Sequence, residues 1–328
     1  MLRFGLLGGG RIGKIHGGNI AASPDARLVA VADAIPAAAE SLAEATGAGV
    51  RSVAEILKAS DIDAILIGTP TDTHADLIEQ AAKAGKAVFC EKPVDLDAKR
   101  IEACLKVVEA AGIPLMIGFN RRFDPNFAAL KARLDAGAIG AVEMVTITSR
   151  DPAPPPVSYI TRSGGLYRDM MIHDLDMARF LLGEEPVEIH ALGSVKVDPE
   201  IGKAGDVDTA MVMLKTASGK LCQISNSRRA TYGYDQRIEV HGAGGMLSAG
   251  NIHETTVELA GKGGFTRDPV QNFFLERYAG AYRAELAAFI AAVSSGKAPS
   301  PSGRDGLAAQ RLADAATKSA QEGVIVRL

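Results

Sequence analysis

Asp169 and His173 are an acid and an imidazole four residues apart, and in a helix such a pair projects from one face, one turn above the other. A carboxylate beside an imidazole is the material of proton transfer. The plain alternative is that Asp169 caps a first helical turn and His173 is a solvated surface histidine. A third arrangement, a metal held by His173 with Asp169, Asp174 and Asp176, has ligand-type residues at helical spacing. Acids grouped this way around one histidine are commonly just polar, so no metal is expected. The segment opens on Gly164-Gly165 and runs through Leu175, Met177, Ala178, Phe180, Leu181 and Leu182 to Gly183. It therefore has an apolar side to anchor it and a glycine to stop it, which predicts a helix over 164–182.

Lys92 is the second group with chemical capacity. It follows the apolar run Ala87-Val88-Phe89-Cys90 and Glu91, and it precedes Pro93. The residue before proline is pushed out of the helical region, so Lys92 is held extended at a strand end. A cis Lys92–Pro93 bond would tighten the turn further. So placed, the ammonium can be aimed at a substrate oxygen.

The elements that must position these groups begin at the amino terminus. Arg3 to Leu7 is a short apolar run that ends in Gly8-Gly9-Gly10-Arg11-Ile12-Gly13, and a helical pattern follows. Gly8, Gly10 and Gly13 have the spacing of a dinucleotide-binding turn: one glycine for the tight bend, one for close approach of a pyrophosphate, one for packing of helix on strand. The helix amino terminus from Arg11 and Ile12 would face the phosphates. A second apolar strand, Leu28 to Ala32, ends in Asp33, whose carboxylate can accept from both adenosine ribose hydroxyls and would repel a 2′-phosphate. NAD is thus expected over NADP; Ala34 follows where an arginine would argue the reverse, although Arg11 can reach that region. Ala64 to Ile67 empties into Thr69-Pro70-Thr71-Asp72-Thr73-His74. Ligands of open α/β sheets bind at strand carboxyl ends, so Thr69 and Pro70 are expected to line the cofactor, and His74 either joins them or caps the next helix. Glu91, Lys92 and, after the strand Pro114 to Phe119, Arg121 occupy the equivalent ends and are expected beside the cofactor as well.

The chain of 328 residues is too long for one typical core, and the boundary is expected near residue 120: a nucleotide domain over 1–120, to which the C-terminal helix can return, and a second domain over 121–328. The formal charge of -3 gives no reason to expect nucleic acid or an anionic membrane as partner, and small metabolites fit better. Cys90, Cys104 and Cys222 lack metal-ligand spacing and read as reduced core thiols. No basic-then-apolar leader precedes the first strand and no apolar run approaches about eighteen residues, so a cytoplasmic protein is expected.

The second half has a different grammar. Val142 to Thr148, Val187 to Leu192, Asp208 to Lys215, Gly219 to Ser225, Asp235 to His241 and Thr255 to Leu259 read as strands of one open, mostly antiparallel sheet, with a rigid loop at Asp151–Pro156. Helices are expected at 272–294 and 302–322, then a short strand, Val324 to Leu328. The fold class is α/β, a doubly wound parallel sheet of the Rossmann type followed by an α/β domain. One sheet face this apolar suggests an oligomer.

The Gly8–Gly13 turn, Glu91-Lys92-Pro93 and Gly164-Gly165 with Asp169 and His173 together resemble the glucose-fructose oxidoreductase / inositol dehydrogenase / MocA family over almost the whole chain. Tyr232-Gly233-Tyr234-Asp235-Gln236-Arg237, Glu239-Val240-His241-Gly242 and Phe273-Phe274-Leu275-Glu276-Arg277-Tyr278 look most like its inositol 2-dehydrogenases. The resemblance implies homodimers or homotetramers built through the second sheet. It also implies NAD-dependent oxidation of one ring hydroxyl of a cyclic polyol, with myo-inositol to 2-keto-myo-inositol as the first expectation. Under it His173 is the general base, an imidazole of ordinary pKa about 6.5 being suited to the task. Asp169 binds substrate and orients the imidazole, and Lys92 stabilises charge on the reacting oxygen. Tyr232 or Tyr234 touches the polyol; two apart in a strand, they share a face. The proline-rich loop near 151–161 departs from the substrate-selecting loops of several members, leaving Ser158, Tyr159 and Arg162 as its polar readers. A scyllo-inositol or aldose dehydrogenase would carry the same machinery. A non-catalytic nucleotide sensor would show a damaged catalytic set, which the sequence does not have.

Overall fold

The computed structural model describes residues 1–328 and divides into two compact units, one of Met1–Asn120 with Ala281–Gln310 and one of Arg121–Gly280 with Arg311–Leu328. The first unit is built from β1 (Leu2–Leu7), α1 (Arg11–Ala22), β2 (Ala26–Ala32), α2 (Pro36–Thr46), β3 (Gly49–Val50), α3 (Val53–Lys58), β4 (Ala64–Ile67), α4 (His74–Lys83), β5 (Ala87–Glu91), α5 (Ala98–Ala111) and β6 (Leu115–Gly118). Its six strands are all parallel, in the order β3-β2-β1-β4-β5-β6. Strands covered by helices on both faces bury every residue, and β4, β5 and β6 are buried throughout. The order reverses between β1 and β4, and ligands of such sheets bind outside the strand carboxyl ends at that reversal.

Local chemistry sets the helix limits. Ser52 and Glu55 cap α3 reciprocally, Asp97 accepts from Lys99 N–H to start α5, and Gly47 and Gly112 close α2 and α5 in left-handed conformation.

The second unit holds α6 (Pro125–Asp135), β7 (Val142–Arg150), α7 (Val157–Ser163), α8 (Ile172–Leu182), β8 (Pro186–Ser194), α9 (Pro199–Lys203), β9 (Thr209–Thr216), β10 (Leu221–Ser227), β11 (Asp235–Gly242), β12 (Gly245–Ala249), β13 (Glu258–Gly261), β14 (Gly264–Arg267) and α10 (Phe274–Arg277). They are followed by α11 (Ala279–Ser295), α12 (Gly303–Glu322) and β15 (Val326–Arg327). Seven strands form one open sheet, β12-β11-β7-β10-β9-β8-β15, in which only β7 and β10 run parallel. Strand β9 alternates strictly, with Ala210, Val212 and Leu214 buried and Met211, Met213 and Lys215 exposed. Helix α8 packs on the covered face against β7 and β10.

Two expectations are corrected. The stretch 255–259 does not join this sheet, because β12 already forms that edge; β13 instead pairs only with β14, in a separate hairpin. The helix expected over 272–294 is broken at Tyr278, whose buried ring is drawn inward by a 3.1 Å hydrogen bond from its hydroxyl to Gln236. The three cysteines are buried and form no disulfide, and burial raises their thiols, Cys104 to about 12. No helix is long and apolar enough to cross a membrane.

Candidate active site

In the first unit the glycine turn does what its spacing requires. Gly8 has φ of 104°, and a Cβ there would stand 2.6 Å from the Gly68 carbonyl oxygen; at Gly13 it would stand 1.8 Å from that of Gly8. Gly10 is different, with nothing within 4 Å of where a Cβ would be. That open space lies at the start of α1, which has no side-chain cap on its first N–H groups. An uncapped helix start beside a bare backbone is a cradle for a pyrophosphate, with Arg11 and Ile12 as the first helical residues. Asp33 Oδ2 accepts from Gly9 N–H at 2.6 Å and Oδ1 from Ile35 N–H at 2.7 Å. The carboxylate is thus fixed beside the turn, with lone pairs remaining for ribose hydroxyls. These residues fit NAD. Replacing Asp33 with serine is expected to weaken NAD by at least about tenfold, the worth of one charge-assisted hydrogen bond, and to shift the NAD/NADP preference toward NADP. Titrating both nucleotides by NAD(P)H fluorescence measures this, and an unchanged ratio would remove Asp33 from ribose recognition.

Other expected cofactor residues turn out to face protein. His74 is 1 % exposed; its Nδ1 lies 2.7 Å from Pro93 O and its Nε2 2.8 Å from Thr69 O. Burial lowers its pKa, while both carbonyls, acceptors only, favour the protonated ring. Either way His74 ties the loop after β4 to the Lys92–Pro93 turn, whose peptide bond is cis, and has no nitrogen left for a cofactor. Glu91 is likewise turned inward, with Oε1 2.7 Å from His16 Nε2. Arg121 falls in the second unit and is buried there, its guanidinium paired with Asp174 and donating to Ser149 Oγ at 3.2 Å. Thr69 and Lys92 are partly exposed and Pro70 is exposed. Thr69 Oγ1 is 2.6 Å from Thr73 Oγ1.

In the second unit the segment of Asp169 and His173 is not one helix. Gly165, at φ of 79°, leads into a π-turn over Leu166–Met170, closed by Met171 N–H on Leu166 O at 2.8 Å, and α8 starts only at Ile172. The π-turn is held from outside, because both Asp206 carboxylate oxygens accept from Leu166 N–H at 3.0 and 3.1 Å. A π-turn widens the helix locally, and such turns are frequent at functional sites. Asp169 therefore stands on the widened turn and His173 on the first turn of α8, both partly buried. Tyr159, one of the loop's expected substrate readers, donates its hydroxyl to Asp169 Oδ1 at 3.0 Å.

Tyr232 and Tyr234 do not share a strand face. Gly233, at φ of 117°, turns the chain between them; Tyr232 is 49 % exposed and Tyr234 is buried against Tyr278. Tyr232 donates to Asp235 Oδ2 at 2.6 Å and accepts from Arg150 at 2.9 Å. Tyr234 is thus a core residue whose burial lifts its phenol well above the ordinary range, and Tyr232 is the exposed one of the two.

Sequence reasoning missed Arg228. It is 1 % exposed, with Nη2 3.8 Å from Asp169 Oδ2 and Nη1 3.9 Å from Asp151 Oδ2. Removal from water pushes the Asp151 carboxyl up to about 6 against the pull of Arg228 and Arg121. A signal existed: Cys222, Ile224 and Asn226 are the inward positions of β10, and the same alternation carried on two residues puts Arg228 inward.

An uncapped dinucleotide cradle in one unit and, in the other, an acid on a π-turn followed by an imidazole on the first turn of the next helix are the marks of an oxidoreductase of the nicotinamide-dependent class. Residues 2–119 match the model of an oxidoreductase family with NAD-binding Rossmann fold, and residues 131–328 match that family's C-terminal alpha/beta domain. The chain belongs to this glucose-fructose oxidoreductase / inositol dehydrogenase / MocA family. It is 61 % identical over 321 residues to an inositol 2-dehydrogenase of Rhizobium meliloti (strain 1021), covering 98 % of this chain and 97 % of the relative. Its fold superposes on the crystal structure of a myo-inositol dehydrogenase from Corynebacterium glutamicum with a TM-score of 0.96, at 48 % identity, covering 100 % and 99 % of the two chains. A scyllo-inositol dehydrogenase from Lactobacillus casei, solved with NAD(H) and scyllo-inositol, gives 0.93 at 30 % identity over 100 % and 99 %.

Proposed function

We propose that this protein oxidises one ring hydroxyl of myo-inositol to the ketone, 2-keto-myo-inositol, with NAD as acceptor. The observation that carries the reading is the 61 % identity, over nearly the full length of both chains, to an inositol 2-dehydrogenase. NAD, held by the Gly8–Gly13 turn and Asp33, would supply the hydride acceptor for the carbinol carbon. His173 removes the hydroxyl proton as that hydride departs, so C–H and O–H are broken, C=O is formed and one proton is released. Asp169, steadied by the Tyr159 hydroxyl and the charge of Arg228, accepts from a substrate hydroxyl and orients the imidazole. Lys92 stabilises the negative charge on the reacting oxygen. Tyr232 is the tyrosine assigned to the polyol.

A second reading, scyllo-inositol as substrate, is favoured by the Lactobacillus casei neighbour solved with that isomer. The test is NADH formation with myo-inositol, scyllo-inositol, D-chiro-inositol and glucose, each with NAD and NADP. Turnover led by myo-inositol with NAD is expected; turnover led by scyllo-inositol selects the second reading, and silence on all four refutes both.

The protein is assigned to the cytoplasm, where its three buried cysteines stay reduced. A homodimer or homotetramer is assigned through the open face of the seven-stranded sheet. In support, Met144, Leu192, Met211, Met213, Leu221 and Met246 are each more than a third exposed.

A further inference from the structure

The first unit contains a buried acidic group that the proposed reaction does not use. Glu285, on α11, is 0 % exposed and neither carboxylate oxygen has a hydrogen-bond partner. It shares a pocket with Glu91 at the end of β5, 8 % exposed, and His16 on α1, 0 % exposed; one polar atom from each lies within 4.8 Å of the others. Of the three, His16 Nε2 and Glu91 Oε1 are joined at 2.7 Å. Phe89 and Tyr282 meet the His16 ring edge-on, at centroid distances of 5.2 and 5.6 Å, and seal the pocket with aromatic carbon. From β6, Gly118 completes it: a Cβ there would lie 3.1 Å from the Glu91 carboxyl and press on it, so glycine gives the carboxyl its room.

Charge decides the state of this cluster. Two ionised carboxylates and one imidazole, nearly all withdrawn from water with no lysine or arginine bonded to them, would leave at least one negative charge uncompensated. A proton on one acid removes it. Glu285 is the acid without donors, and burial, followed by the Glu91 charge, drives its carboxyl well above the ordinary range. Glu91, by contrast, has the His16 bond.

Glu91 is also the residue before Lys92. We propose that Glu285 and His16 are positioning residues for Lys92: Glu285, as the neutral acid, closes with His16 and Gly118 a pocket that seats the Glu91 carboxylate and so fixes the strand end from which Lys92 projects. The titratable groups that face Glu285 are Glu91 from β5 and His16 from α1, with Tyr282 on its own helix against the His16 ring. The link to catalysis rests on the role of Lys92 given above; the proton on Glu285 does not.

The test uses the full-length enzyme. Glu285→Gln keeps the shape of a neutral acid and is expected to hold kcat within about 3-fold of the wild type at neutral pH. Glu285→Leu removes the polar wall and is expected to lower kcat by about 30-fold or more, with KM for NAD nearly unchanged, since a small misplacement of a catalytic group has effects of that size. Unfolding by urea gives a readout that needs no substrate. An acid whose folded pKa is raised binds more protons folded than unfolded, so its contribution to stability falls as pH rises from about 4.5 toward the raised value. The urea midpoint of the wild type should therefore drop relative to Glu285→Gln as pH rises above the ordinary carboxyl range. Parallel midpoints overturn the neutral acid even if no polyol is turned over and the functional reading fails by itself. Equal kcat losses in the Gln and Leu variants, or no loss in Leu, overturn the positioning role. A stoichiometric divalent ion in the purified protein, removed by chelator with loss of activity, would make the cluster a metal site instead.

Discussion

Replacing His173 with alanine is expected to lower kcat for inositol oxidation by about 10²- to 10⁴-fold, the usual worth of a positioned general base. NAD affinity should stay where it is, because the glycine cradle and Asp33 belong to the first unit and His173 to the second. The fold should also persist: His173 is only partly buried, and α8 is anchored by Leu175, Ala178, Leu181 and Leu182, all at most 1 % exposed. Steady-state kinetics with an NADH fluorescence titration separates these effects. The loss should shrink toward high pH, where hydroxide takes over the base's task, and an unchanged kcat would remove His173 from the mechanism.

Replacing Asp174 with alanine is expected to cost stability, about 3–5 kcal/mol, which urea unfolding would record. Asp174 follows His173 directly but points the other way, into the core, 0 % exposed. There it pairs with Arg121, accepts from Asn226 Nδ2 at 3.0 Å, and joins a chain through Ser149 and Gln236 to the Tyr278 hydroxyl. Burial lifts the Asp174 carboxyl while Arg121, Asn226 and Ser149 pull it back. Arg121 cannot shed its proton, so removing its partner leaves a sealed charge uncompensated. Replacing both, Arg121→Met with Asp174→Leu, should recover most of the loss. A single-variant loss below about 1 kcal/mol would mean that the pair contributes little beyond its packing.

The contrast between these neighbours shows what a sequence discloses. The glycine turn, Asp33 and the strand-end position of Lys92 were legible because each depends on residues close in the chain: a bend, a helix start, a proline. Interruption of the 164–182 segment was not, since the π-turn is held by Asp206, some forty residues on. The inward turn of Glu91, His74 and Arg121 was hidden for the same reason. Their partners His16, Pro93 and Asp174 become neighbours only after folding, and a polar residue at a strand end reads alike whether it faces a ligand or the interior. Arg228 was the recoverable case, because the alternation of β10 already pointed it inward.

Helix α11 has a further meaning for how the chain is made. It belongs to the first unit, where Phe289 packs against Phe4 and Phe89 at centroid distances of 6.0 and 5.7 Å, yet it emerges after the whole contiguous part of the second unit. A ribosome adding about 5–20 residues per second delivers that intervening stretch over roughly 10–30 s. Throughout that interval the nascent six-stranded sheet lacks Phe289, and the Glu91 pocket lacks its third wall. Vectorial synthesis therefore finishes the later unit's sheet strands, all but β15, before the earlier unit can close, and a fragment ended near residue 120 is a truncation of the nucleotide-binding unit.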